Sequence, residues 1–424
     1  MTTITRRRGA VTAIAVMSVV ALAACGGGGS EEGGSDEGST DSPSREEERV
    51  ADVTVGYSAG SLDAYLEAMF DRVEEELGVT VTPVVYPTYD DQLNQLPNQF
   101  AGQTAPDIIL WDNAAPVAQY AAEGVIRPVD DLLADSDVDL SAFPQALVDG
   151  WTLDGGLYAV PSYLQNSAMI YNMDVLSEAG VEVPTTVAEL GEAAQQVKDA
   201  TGKAGIVVLE NLFHLTQYVL AFGGGWDYGR SIDSPANVEA IQWLADLYAT
   251  GAAASAQALG ATWDGEAIAA GTAAMSDGGP WYIGFMAGSA PDVEYRMLPL
   301  PDVDGRGVVT TYGGGFSINA AAPDPKTAMD VIAVLTDATA QEAIVTMEVG
   351  FVPAMTEFAE TYREATPEYA AFTDEVLASG RTLDYPLQTA EFGNALIAGF
   401  QGLVAGNGST AQELLSDLQA QFGQ

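Results

Sequence analysis

Cysteine occurs once in this chain of 424 residues, at Cys25, histidine once, at His214, and lysine three times, at Lys198, Lys203 and Lys326. A single cysteine excludes an intramolecular disulfide, a CxxC zinc site and a cysteine–histidine catalytic pair. A single histidine excludes HExxH and every multi-histidine metal site, so no metal and no other cofactor is expected. Positive charge is scarce: 15 Lys and Arg face 60 Asp and Glu, for a net charge of −45. Such a surface repels phosphate backbones and anionic lipid, which excludes nucleic acid and polybasic membrane docking. What is present is apolar. Hydrophobic residues make up 47% and charged residues 18%, the composition of a globular chain of two or three domains. A binder remains, or an enzyme that works with carboxylates or one Ser–His–Asp set.

The first 24 residues read as an export signal. Arg6, Arg7 and Arg8 precede an uncharged stretch, Gly9–Ala24, that is too short to span a bilayer comfortably. It ends Leu22-Ala23-Ala24-Cys25, the pattern of a bacterial lipobox, whose cysteine is lipidated and becomes the mature N-terminus. Removing residues 1–24 takes three bases and no acid, leaving 12 bases against 60 acids and a net charge of −48. Residues 25–50 are the lipidated cysteine and a Gly, Ser, Glu and Asp tether with too little apolar surface to fold. Such a tether reaches about 28 Å root-mean-square and places the body just outside the cytoplasmic membrane. The three arginines are compatible with either Sec or twin-arginine export.

The body starts at Ala51. Val53, Val55 and Tyr57 form a short strand. Leu62, Leu66, Met69, Val73 and Leu77 follow at helical spacing, with Ser61 as the expected cap and Gly78 as the stop. Val79–Tyr86 reads as a second strand, bent or at an edge because of Pro83. Together these make a βαβ unit with parallel strands. Ile108–Trp111 is short and continuously apolar, as a strand buried on both faces should be. Further helix starts are marked by Asn113 with Pro116, by the capping box Thr186-Val-Ala-Glu189, and by Ser234-Pro235 and Asp324-Pro325. From Glu357 onward the pattern is almost wholly helical.

A series of landmarks then carries a resemblance. Ala105-Pro106-Asp107-Ile108-Ile109-Leu110-Trp111-Asp112, Tyr120-Ala-Ala-Glu-Gly124 and Arg127-Pro-Val-Asp-Asp131 come first. Gly156-Leu-Tyr-Ala-Val-Pro161 and Met169-Ile-Tyr-Asn-Met-Asp-Val-Leu176 follow, with Ala179-Gly180 and Pro184-Thr-Thr186 after them. Gly223-Gly-Gly-Trp226, Gly271-Thr-Ala-Ala-Met275, Gly279-Pro-Trp281, Gly313-Gly-Gly-Phe-Ser-Ile318 and Gly350-Phe-Val-Pro-Ala354 complete the order. In this order the chain resembles the family 1 extracellular solute-binding proteins, sugar receptors of bacterial ABC importers, with the trehalose/maltose-type receptors as the nearest group. It departs where those receptors often carry an aromatic after the double glycine: here Gly315 stands there, with Phe316 next.

The resemblance implies a periplasmic-binding-protein-like α/β fold of two lobes joined by hinge crossings, closing on a sugar. Lobe one is expected at 51–161 plus 301–351 and lobe two at 162–300 plus 352–424. Crossings are expected near Ser162–Gln165, Leu298–Pro301 and Phe351–Ala354. The implied partners are a di- or oligosaccharide and the permease subunits in the cytoplasmic membrane, with the protein acting as a monomer.

A sugar presents hydroxyls at its rim and C–H faces, so carboxylates, amides and flat aromatics are the expected contacts. Ligands of open α/β sheets bind beyond the carboxyl ends of the strands. Trp111, Asp112 and Asn113 sit at such an end, and the family places a hydroxyl-binding acid at Asp112. Tyr163 and Gln165 flank the implied hinge, and Trp281 matches an aromatic platform. Trp226 follows three glycines. Tyr312, Phe351, Arg381, Asp90 and Ser58 complete the candidate set.

The rival reading is a secreted hydrolase. Gly56-Tyr57-Ser58-Ala59-Gly60 fits GxSxG after a strand, and Ser58, an Asp and His214 occur in a permitted order. Against it, no oxyanion segment of HGGG type exists, and His214 lies in an apolar helical stretch. A carboxylate-pair glycosidase is not excluded by composition. Asp135-Ser-Asp137-Val-Asp139 imitates a calcium loop but carries Leu140 and Ala146 where Gly and Glu are needed. The acid excess is spread along the chain, which fits adaptation to a saline or alkaline medium better than a cationic cargo.

Overall fold

The computed structural model describes residues 52–367, 372, 380–406 and 408–424. The signal, Cys25 and the tether lie outside the described residues. Among those residues no helix is long and apolar enough to cross a membrane.

In chain order the strands are β1 (Asp52–Ser58), β2 (Thr80–Tyr86), β3 (Ile108–Trp111), β4 (Ile126–Arg127), β5 (Thr152–Leu153), β6 (Gly156–Leu157), β7 (Val160–Asn166) and β8 (Ala168–Asn172). Then come β9 (Ala204–Val208), β10 (Ala253–Ser255), β11 (Ala273–Gly278), β12 (Tyr295–Leu298), β13 (Thr311–Asn319) and β14 (Val352–Pro353). They form two main sheets. The first runs β14-β7-β13-β3-β1-β2, with β4 also on β13; the second runs β10-β9-β11-β8-β12. β1 pairs in parallel with both β2 and β3, and Pro83 lies on the edge strand, as the sequence implies. Helices cover the sheets, and each sheet has its own buried apolar core.

The local signals hold with informative shifts. The first helix spans Asp63–Leu77, not from Ser61. Its start has no side-chain cap; instead Asp63 Oδ1 accepts from the Gly60 N–H (3.0 Å), while Gly78 ends it in the left-handed conformation at φ 67°. Thr186 caps its helix through the Glu189 N–H, but the Glu189 carboxylate accepts from Thr185, so the box closes one residue early. Ser234 and Asp324 cap as expected, each followed by proline in the first turn. The C-terminal region is less helical than its pattern. At Arg381 the chain is extended, because its backbone bonds to Val309 and Thr311 on the neighbouring crossing segment.

The crossings fall later than expected. β7 stays in the first sheet through Asn166 and β8 starts the second at Ala168, so the chain changes lobe at Ser167. The return occurs at Thr310, not at Leu298–Pro301. Leu300 and Val308 are still buried in the second core, and Ser167 Oγ accepts from the Thr310 N–H at 2.8 Å, linking the two crossings. The third segment stays with lobe one through Met355, whose side chain lies in the first core. Hydrophobic runs mark strands well, but a strand passing from one sheet to the next keeps the same pattern, so sequence places the switch only to within several residues.

Candidate functional site

The parallel strands β1 and β3 end side by side, and their carboxyl ends deliver Ser58 and Asp112 to one place. Ser58 Oγ donates to Asp112 Oδ2 (3.2 Å), and the Tyr163 hydroxyl, from β7, donates to Asp112 Oδ1 (3.0 Å). Tyr163 is fully buried and stacks on Phe351 with ring centroids 4.7 Å apart and planes within 20°. It can lie there because β13 pairs Gly314 with it; a Cβ at Gly314 would come within 2.2 Å of the Tyr163 ring. At Gly315 the space a side chain would need is taken by the Trp151 indole, 2.9 Å from the ideal Cβ. That contact accounts for the departure from the aromatic expected there.

Across the cleft stands an aromatic wall. Phe213 packs edge-on against Trp281 (5.8 Å between centroids) and at a tilt against Tyr312 (5.3 Å). Trp281 is half-buried and opens the helix Trp281–Ser289. Beside it lies a cavity of about 430 Å³, lined by Gly60, Ser61, Ala64, Tyr65 and the Met347–Val349 turn of lobe one and by Trp263, Trp281 and Phe285. Its volume falls in the range of small-molecule sites. The lobes also meet at the cleft rim, where Asn394 Nδ2 donates to Asn94 Oδ1 (2.8 Å).

Burial pushes the Asp112 carboxyl up to about 6, against the opposing hydrogen bonds from Tyr163 and Ser58, and Asp90 adds to the rise. Taking a carboxylate out of water disfavours its charged form. Asp112 is therefore an acceptor that two neutral hydroxyls hold in place and no described cation neutralises by contact. Sugar hydroxyls are donors of the kind that satisfy it.

The other candidates divide. Gln165 is buried on the same strand face as Tyr163, opposite Tyr312. Asp90 is exposed, in a crevice between the helices that also carry Asn94 and Asn394. Asn113 accepts from the Ala115 N–H (3.1 Å), turning the chain ahead of a helix that begins only at Val117. Arg381 has its guanidinium beside Asp384 near Gly225.

Two tryptophans are placed in cores instead. Trp111 Nε1 donates to Ser317 Oγ (2.9 Å) and its ring stacks on Tyr120 in lobe one. Trp226 is 0% exposed; its Nε1 donates to Thr216 Oγ1 (2.8 Å) and its ring meets Phe392 edge-on. Of the three glycines before it, Gly224 serves close packing, since a Cβ there would come within 2.0 Å of Asn237 Oδ1, while Gly223 takes a left-handed turn at φ 78°.

The sequence reading passed over Phe213, Trp263, Phe285, Tyr89 and Tyr385. Tyr89 follows the end of β2, so the strand-end rule that picks out Asp112 also reaches it. Its buried hydroxyl has no hydrogen-bond partner among the described residues, and burial and the nearby Asp112 hold it well above its ordinary pKa. Trp263 and Phe285 carry no local signal, because only the fold brings them to the cavity.

The Ser–His arrangement of a hydrolase is not assembled. Ser58 bonds to a carboxylate, and the His214 imidazole is 2.7 Å from Asp277 in the second lobe.

Two α/β lobes with strand ends around such a cleft are the architecture of a periplasmic-binding-protein-like fold. The model of the bacterial extracellular solute-binding protein family matches residues 68–374, and the chain belongs to that family. The maltotriose-binding protein of Pyrococcus abyssi is 26% identical over 247 residues, 56% of this chain and 52% of that protein. The sn-glycerol-3-phosphate-binding periplasmic protein of Rhizobium meliloti is 28% identical over 267 residues, 58% of this chain and 60% of that protein. The chain thus spans little more than half the length of these curated relatives. An ABC substrate-binding protein of Listeria monocytogenes, solved with cycloalternan, superposes with a TM-score of 0.78 at 21% identity over 88% of this chain and 97% of that one, which establishes the shared fold.

Proposed function

We propose that this protein is the extracytoplasmic receptor of a carbohydrate ABC importer, capturing a neutral di- or oligosaccharide between its lobes and handing it to the membrane permease. The observation that carries this reading is Asp112, held by Tyr163 and Ser58 at the base of an aromatic-walled cleft. One acceptor for hydroxyls and flat rings for C–H faces are what a saccharide needs.

The relatives bind ligands of two kinds by name, an oligosaccharide and a glycerol phosphate. Charge favours the first. A phosphate dianion at Asp112 meets that carboxylate and the nearby Asp90, while the imidazole of His214 is already matched by Asp277 and the Arg381 guanidinium has Asp384 beside it. Like charges in a poorly hydrated cleft disfavour such a ligand. The protein binds and releases its ligand unchanged. It works as a monomer held to the outer face of the cytoplasmic membrane by lipid on Cys25, two or three acyl chains sufficing for stable anchorage.

A thermal-shift panel tests the reading: maltotriose, trehalose, arabino-oligosaccharides, glycerol 3-phosphate, amino acids and polyamines, each with the soluble body. At a thousandfold excess over Kd a ligand stabilises the native state by about 4 kcal/mol. A shift with a neutral saccharide and none with glycerol 3-phosphate is the expected result. A shift with glycerol 3-phosphate, amino acids or polyamines alone overturns it, as does chemical turnover of the saccharide. Cys25→Ala should abolish lipid attachment and membrane partition; unchanged fractionation counts against the anchor.

A further inference from the structure

The second lobe buries a set of charges that the cleft does not use. His214 is 3% exposed and Asp277 1%, with Nδ1 of one 2.7 Å from Oδ2 of the other. The contact is an ion pair when the imidazole is protonated. Nearby, Asp264, also fully buried, accepts from the Tyr282 hydroxyl (2.6 Å) and from Ser276 Oγ (2.7 Å). Burying such charges costs several kcal/mol unless they are matched, and breaking one partner of a buried pair is worse than never having it.

Their positions along the chain give the cluster its meaning. Asp277 is the penultimate residue of strand β11, whose last residue Gly278 opens Gly278-Gly279-Pro280, and Tyr282 follows Trp281 directly. The short turn that presents Trp281 is therefore held on its entry side by His214–Asp277 and on its exit side by Asp264–Tyr282. The two glycines make this possible by letting the rings fold back over the turn. A Cβ at Gly278 would come within 2.5 Å of the Tyr282 ring, and one at Gly279 within 2.1 Å of the Trp281 ring. On the same helix as His214, Phe213 buttresses Trp281 from the other side.

We propose that His214 is a positioning residue for the ligand platform: with Asp277 and Asp264 it clamps the Gly278–Pro280 turn and fixes the plane of Trp281. The inference rests on the reading that Trp281 faces the ligand, but the clamp itself does not. Burial alone pulls the imidazole down; Asp277, then Asp264, more than reverse that and carry it up to about 9, with Asp90 of the first lobe adding to the rise. The other groups facing the cluster are the hydroxyls of Tyr218, Tyr248, Tyr282 and Tyr312. Burial holds all four above their ordinary range, so they stay neutral where His214 titrates. When His214 loses its proton, two buried carboxylates lose their only partner cation among the described residues, and the turn they hold is released.

The test uses the soluble body labelled with 5-fluorotryptophan, whose six indoles give separate fluorine resonances, Trp281 being assigned by Trp281→Phe and Trp226 by Trp226→Phe. Without ligand, the Trp281 resonance should move with pH along a single curve centred near 9, while Trp226, bonded to Thr216 on the His214 helix but outside the Gly278–Pro280 turn, stays still. In His214→Gln the Trp281 resonance should be flat, and in Asp264→Asn its midpoint should fall. A Trp281 resonance that is flat in the wild type, that titrates equally in His214→Gln, or that moves together with Trp226 overturns the clamp. The second arm is calorimetry with maltotriose, or with whichever panel saccharide binds, none of which titrates between pH 7.5 and 10. Kd should rise at least fivefold over that interval in the wild type and be pH-independent, at the weaker value, in His214→Gln. A Kd that does not change in the wild type overturns the link from clamp to platform. Should no saccharide bind at pH 7.5, the functional reading fails, and the ligand-free resonances still decide the clamp.

Discussion

The two walls of the cleft invert each other. On the first lobe the charge is at the cleft surface, and its support is neutral: Asp112 is held by the hydroxyls of Ser58 and Tyr163. On the second lobe the cleft surface is apolar, Trp281 and Phe213, and the support is charged and buried, His214 with Asp277 and Asp264. Each wall therefore has a different vulnerability. A carboxylate that keeps unsatisfied acceptor capacity is ready for ligand and poorly stabilised without it. A ring clamped by a matched ion cluster is preorganised, and binding does not have to immobilise it again.

The largest effect should come from removing the flat platform. Trp281→Ala is expected to weaken saccharide binding by about 2–4 kcal/mol, or roughly thirtyfold to a thousandfold, measured by calorimetry at pH 7.5. The ligand-free midpoint should change little, since the ring is half-buried at the cleft. Next is Asp112→Ala, which removes a charge-assisted acceptor worth about 1.5–3 kcal/mol, ten- to a hundredfold in Kd. If the two losses came out equal in enthalpy as well as in size, the division into a polar wall and an apolar wall would be wrong.

Much of this contrast was legible in the sequence, and the reason differs by residue. Asp112 is found because buried parallel strands announce themselves as short apolar runs, and the first residue beyond such a run is at the ligand edge. Trp281 is singled out by the Gly-Pro-Trp signature of a resemblance, and the fold leaves it half-buried beside the cavity. Trp111 and Trp226 show the limit. Both neighbour the right segments, yet a strand alternates its faces and a glycine run serves close packing as readily as ligand approach, so their rings went to the cores. The His214–Asp277–Asp264 cluster was out of reach. Its members lie on a helix, a strand and a second helix more than fifty residues apart at the extremes, and a lone histidine in an apolar helix reads as filler until its neighbours in space are known.

The pH dependences sharpen the contrast because they run from opposite ends. The Asp112 carboxyl is raised to about 6, above its unfolded value, so the ligand-free fold gains stability as pH falls through 6 and loses that gain as pH rises through it. A saccharide that donates to the carboxylate prefers the ionised form, so affinity should move the other way. It should weaken by at most tenfold per unit below about pH 6, an effect that Asp112→Asn removes. The raised His214 group contributes stability that is fully present below its unfolded pKa near 6.5 and is lost as pH rises through about 9. Melting curves of wild type, Asp112→Asn and His214→Gln between pH 5 and 10 separate the two. An acid-side difference in the His214 variant alone would reverse the assignment.

The smallest expected effect tests whether the walls move at all. Asn94 and Asn394 are both exposed, on helices of different lobes, and the 2.8 Å bond between them spans the rim. A hydrogen bond there contributes about 0.5–1 kcal/mol net, because water competes for both groups. If release of ligand separates the lobes, that bond exists only in the closed state, and Asn394→Ala should raise Kd two- to fivefold, through a faster off-rate in stopped-flow displacement, with the ligand-free melting midpoint unchanged. If instead the lobes stay in contact without ligand, the bond is part of the resting fold. The same variant would then lower the ligand-free midpoint and leave the off-rate alone, and capture by lobe closure would have to give way to entry into a cleft that is already formed.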